Sequence, residues 1–152
     1  MQREMRTRKV RKVTATKFVA ATAVVAVAIQ FIPYGKQHIN PPVEVSVTWD
    51  SPETKALFDA SCKDCHSHNT VWPKNTNFAP VSWLIAHDVY DGREHFNVSK
   101  AVKAKTINEA IDEVKDGEMP PIQYTLMHQN ARLSQHERKA LIDGLKKTFL
   151  NK

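Results

Sequence analysis

Apolar and polar positions are unevenly spread along the chain. The longest apolar run, Phe18-Val-Ala-Ala-Thr-Ala-Val-Val-Ala-Val-Ala-Ile-Gln-Phe-Ile32, lies near the N-terminus and meets Pro33 at once. As a helix this run covers only about 22 Å, short of a ~30 Å hydrocarbon core. Extended from Val13 to Tyr34 it reaches about 33 Å, with Lys17 snorkelling toward the headgroups. The segment reads as a transmembrane anchor over 13–34, preceded by a basic cytoplasmic tail over 1–12. A cleaved signal peptide, cut after the small-residue triplet Ala26-Val-Ala28, is the competing reading. Ile29, Phe31 and Ile32 continue the apolar run past that cut and favour the anchor.

Beyond the anchor the periodicity changes. Residues 35–50 carry Pro41-Pro42 and alternating Val43, Val45 and Val47, which predicts an extended linker rather than a sheet strand. The remainder, 51–152, reads as one all-α domain of four short helices. Ser51 as N-cap, Pro52 at the first position and Glu53 in the first turn open a helix that runs into Cys62. Residues 67–79 look like a loop. Pro80 opens a second helix with Val81, Leu84, Ile85 and Val89 on its apolar stripe and Gly92 as its end. A third, from about Thr106 to Asp116, places Ile107, Ala110, Ile111 and Val114 on one face and stops at Gly117. A loop with Pro120-Pro121 follows. The capping box Ser134-Gln-His-Glu137 starts the last helix, which buries Leu141, Ile142, Leu145 and Phe149.

Charge changes the picture less than the pI of about 9.4 suggests. Residues 1–36 hold eight Lys/Arg against one acid, and the rest holds fourteen against fifteen. The basic excess sits before the apolar run, where it keeps the N-terminus in the cytoplasm and sends the rest across. The expected location is the inner membrane, single-pass, with the C-terminal domain in the periplasm. A nearly neutral folded part argues against nucleic acid as a partner.

The two cysteines fall within one pentapeptide, Cys62-Lys-Asp-Cys65-His66, so they staple no distant segments. Two thiols at this spacing can add across the two vinyl groups of one haem, and the adjacent imidazole then falls beneath the iron. The cofactor expected is one covalent haem c, with thioethers to Cys62 and Cys65 and His66 as proximal iron ligand. A zinc site would need a fourth ligand, and a thioredoxin-like pair would follow a strand. Met119, in Gly117-Glu-Met-Pro-Pro121, lies 53 residues after His66 in a proline-stiffened loop and is the expected sixth ligand. Met127, His128 and His87 are its rivals. His68 and His95 are expected at the surface or satisfied by hydrogen bonds, His38 in the linker and His136 in a helix cap.

The chain also resembles the bacterial haem-binding domain family, single-haem proteins related to c-type cytochromes. The resemblance rests on Ile32-Pro-Tyr-Gly35, Asn40-Pro-Pro42, Trp49-Asp-Ser-Pro52, Cys62-x-x-Cys-His-Ser67, Trp72-Pro73 and Ala79-Pro-Val-Ser-Trp-Leu84. It continues through Asp88-Val89, Gly92-Arg93, Gly117-Glu-Met-Pro-Pro121 and Ala131-Arg-Leu-Ser134. It implies an N-terminal anchor, an exported cytochrome-c-like helical domain, and haem attachment at Cys62, Cys65 and His66. The chain departs from the pattern at Lys74-Asn-Thr76, where members are more aromatic, and at Lys100-Ala101, where they carry a Trp. Electron transfer at the membrane surface, to an unknown redox partner protein, is the expected function. The alternative is a gas or redox sensor or a peroxidase-like enzyme with an open sixth site. Its acid–base groups would have to come from His87, Arg93 and Glu118.

Overall fold

A computed structural model describes residues 2–151, with side chains from Thr14 onward. The basic side chains of the 1–12 tail lie outside the described ones. Seven α-helices and no strand occur among the described residues. Helix α1, Gln2–Ala28, passes into a 3₁₀ turn at Ile29–Phe31. Its stretch Thr14–Phe31 is long and apolar enough to cross a membrane, and none of it is buried against the body.

The body contains α2 (Pro52–Ser61), the single turn α3 (Lys63–His66), α4 (Val81–His95), α5 (Ala104–Asp116), α6 (Ile122–Met127) and α7 (Gln135–Phe149). Local chemistry sets most boundaries. Ser51 Oγ accepts from Thr54 N at 3.1 Å, with Pro52 at the first position of α2. Ser134 and Glu137 close a reciprocal capping box on α7. Gly117 ends α5 at φ +86°, a left-handed conformation that costs a glycine no Cβ clash.

The core lies where α5 and α2 pack on α7. Phe58, Ile107, Ile111, Val114, Leu141 and Leu145 are buried together with Phe96 and Val98. Trp49 packs tilted against Phe58 with ring centroids 4.9 Å apart and meets Phe149 edge-on.

Two expectations about α4 are corrected. The helix does not stop at Gly92 but makes another turn to His95, with Phe96 N donating to Gly92 O. Its buried stripe is Ser82, Ala86 and Val89, whereas Val81 and Leu84 face outward, Leu84 at 53% exposure. Small residues win the inner face because α4 packs close on α3 and on the 3₁₀ turn Lys74–Asn77. The expected loop before α7 also holds α6 and a 3₁₀ turn at Gln129–Ala131, so the body has more than four helices. Helix α5 starts at Ala104, two residues ahead of expectation.

Residues 35–50 have no regular secondary structure, but they are held along the body. Glu44 N and Val45 N both donate to Ser99 O, at 2.9 and 3.0 Å, and His68 Nδ1 lies 2.7 Å from Pro42 O. Arg93 ties this strap, residues 35–50, to the chain just after His66. Its guanidinium donates to Ser67 O, Ile39 O, Asn40 Oδ1 and Thr70 Oγ1, all at 2.8–2.9 Å. Arg93→Ala should therefore cost about 2–3 kcal/mol of stability, since hydrogen bonds to a charged donor are the strong ones. Arg93→Lys should not restore it, because a single ammonium cannot reach four acceptors. Thermal unfolding of the three proteins checks this; equal midpoints would show that the strap is held by other contacts.

Candidate functional site

The Cys62–His66 pentapeptide folds as one tight corner. Cys62 ends α2, its N–H bonded to Phe58 O at 2.8 Å, and its carbonyl accepts from Cys65 N and His66 N at 3.2 and 2.9 Å. This turn brings both thiols and the imidazole to one side. They face a cavity of about 570 Å³, which Phe58, Phe96, Val114 and Leu145 line with apolar surface. Gly92 lines it too, against the corner; a Cβ there would sit 2.8 Å from Cys65 O, so α4 can approach only because the residue is glycine.

His66 is oriented by two backbone acceptors. Its Nδ1 lies 3.0 Å from Gly92 O and 2.9 Å from Phe96 O, carbonyls that can only accept. Nδ1 therefore carries the proton, and the Nε2 lone pair is left for an electrophile or metal. Burial holds the His66 pKa below its ordinary value, opposed by those two carbonyls, which keeps the ring neutral. Burial also pushes the Cys62 thiol up to about 11. Cys65 rises to about 12, through burial first and the nearby Asp88 carboxylate second.

Met119 lines the same cavity. After Gly117 the chain doubles back, and Glu118 N and Met119 N both donate to Glu113 O at 3.1 Å. Arg138 on α7 brackets the turn, its Nη1 bonded to Val114 O and lying 3.5 Å from Met119 O. The structure thus gathers Cys62, Cys65, His66 and Met119 around one space. It leaves the rivals outside: Met127 is 71% exposed and His87 is exposed. His128 stacks on Tyr124 at 4.2 Å and lines a separate hollow of about 380 Å³.

Sequence reasoning missed part of the lining. Asp88 and Asp91 on α4, Glu109 and Glu113 on α5, and His95 all border the cavity, and the lining includes no lysine or arginine. Their signal was available as acids spaced three or four apart beside an apolar stripe. Tyr124 was also missed; it donates to Asp64 Oδ2 at 2.9 Å and stands between the cavity and the smaller hollow. Burial and that carboxylate raise its pKa. Of the acid–base candidates His87, Arg93 and Glu118, none lines the cavity, and Arg93 is spent on the strap.

Comparison with family models gives a match to the haem-binding domain over residues 24–147. The chain belongs to the haem-binding domain family. The match begins inside α1 and runs through residues 35–50 and the body into the last turn of α7. Comparison with curated proteins and with solved structures returns no match. The residues present fit the group that the family binds. A flat apolar cofactor needs a largely apolar slot of ~300–1,000 Å³ with a few convergent polar groups. The cavity of this haem-binding domain has that size, and one imidazole whose second ring nitrogen is left unengaged lines it.

Proposed function

We propose that this domain carries one haem c and serves as a membrane-anchored electron carrier on the exported, periplasmic side. Cys62 and Cys65 would hold the group through thioethers, and His66 Nε2 and Met119 Sδ would bind its iron. The observation that carries this reading is the convergence of those four side chains on one cavity, with His66 Nδ1 already committed to backbone carbonyls. Haem iron, when bound, supplies one-electron redox chemistry, and histidine–methionine ligation raises its potential.

The chain's own residues do the rest. Gly92 and Phe96 carbonyls fix the imidazole tautomer and strengthen it as a donor. Phe58, Phe96 and Leu145 keep water from the interior side. Arg138 and the Gly117 turn limit the places the Met119 thioether can go, so little entropy is lost when it ligates. Met119 in the lining, placed to occupy the remaining iron position, favours electron transfer over chemistry at an open site. The test is a reduced-minus-oxidised spectrum of the purified protein, with and without carbon monoxide. A six-coordinate, low-spin spectrum that carbon monoxide perturbs only slowly is expected. Rapid carbon monoxide binding would replace this reading with a sensor or enzyme having an open sixth site.

A further inference from the structure

Helix α1 does not enter the body through slack chain. Gln30, in the 3₁₀ turn that follows it, clamps Ala79 by two bonds: Nε2 donates to Ala79 O at 2.9 Å, and Oε1 accepts from Ala79 N at 3.0 Å. Lys36 Nζ turns back to Gln30 O. Gly35 is buried against α4, where a Cβ would come within 2.7 Å of the Ser82 carbonyl carbon and closer still to its oxygen. The start of α4 is thereby fixed beside the end of α1.

That same corner exposes large apolar side chains, as α6 does separately with Ile122, Leu126 and Met127. Phe78 is 65% exposed, and Val81 and Leu84 follow at three-residue spacing on the outer face of α4. These two belong to the stripe that periodicity alone assigns to the core. Phe31, Ile32 and Tyr34, also exposed, lead out of α1 at this end. An apolar patch of this kind in water is a liability, and here it adjoins a helix long enough to span a bilayer. Lys74, exposed in the turn before Phe78, is suited to lipid phosphates.

We infer that Phe78, Val81 and Leu84 enter the interfacial layer of the membrane that α1 spans, so that the haem domain lies against the bilayer in one fixed orientation. The inference rests on α1 being retained as an anchor. It makes α4 the ruler of the assembly: its first turn lies at the lipid, and Asp88, the first of its residues to line the cavity, comes about 10 Å further along the axis.

The test uses the full chain, haem-loaded, in vesicles of phosphatidylethanolamine and phosphatidylglycerol. A photoreactive phenylalanine analogue replaces Phe78, Leu84 or, as the control on exposed α5 surface, Asp112. Lipid adducts, read by mass, are expected at 78 and 84 and lost at 112. Carbonate-resistant protein that gives no lipid adduct at 78 or 84, or gives chain-to-chain adducts there instead, overturns the inference and leaves the anchor standing. Carbonate-extractable protein with a mature N-terminus at Ile29 overturns the anchor, and the fixed orientation falls with it. The Leu84 position guards against misfolding of the Phe78 variant, and the haem spectrum reports the fold of each.

Discussion

Replacing both Cys62 and Cys65 by alanine is expected to remove the haem-staining band from a denaturing gel entirely. The effect is all-or-none because only a covalent link survives unfolding. Both thiols line the cavity from one turn of chain, so both are placed to bond the same ligand. The double variant keeps His66 and the apolar walls, and so can still hold haem while folded; that haem should leave on denaturation. Each single variant should keep a stained band through its remaining thioether. A stained band from the double variant would refute covalent attachment at this motif, while haem binding by the family would stand.

Met119→Ala should have the second-largest effect. It is expected to abolish the far-red absorption of a thioether bound to ferric iron, lower the potential and let carbon monoxide bind rapidly. Met127→Ala, His87→Ala and His128→Ala should leave that absorption in place. The contrast follows from position: Met119 lines the cavity, whereas Met127 and His87 are exposed and His128 is stacked on Tyr124 over the smaller hollow. A spectrum changed by His128→Ala and indifferent to Met119→Ala would make the iron bis-histidine.

The sequence made the local features legible and the close approaches obscure. Caps are short-range chemistry, so Ser51-Pro52, Gly117 and the Ser134–Glu137 box marked helix ends that the structure retains. The stripe of α5 was read correctly because its buried face is aliphatic throughout. The stripe of α4 was not, since its inner face is Ser82, Ala86 and Val89, residues chosen for closeness, while its bulkier apolar residues point away from the core. Gly92 misled for the same reason: glycine at a helix end and glycine at a helix contact look alike in sequence. Helix α6 is short and uncapped by any side chain, so nothing local announced it. The site motif was visible because Cys62, Cys65 and His66 are neighbours in the chain. The carboxylates and Tyr124 that border the cavity are brought there only by tertiary packing.

The two carbonyls that orient His66 come from residues 26 and 30 positions further along the chain. A chain synthesised from its N-terminus therefore presents its cysteine motif well before the helix that will wall it in. During that interval the thiols stand in water, free of the burial that later holds them at about 11 and 12. Once α4 docks, with Gly92 seated on Cys65, the corner is closed from that side. If these thiols take up haem as proposed, maturation is a race between haem delivery and the folding of α4. Slowing the emergence of residues 67–96 should raise the loaded fraction, and hastening their docking should lower it.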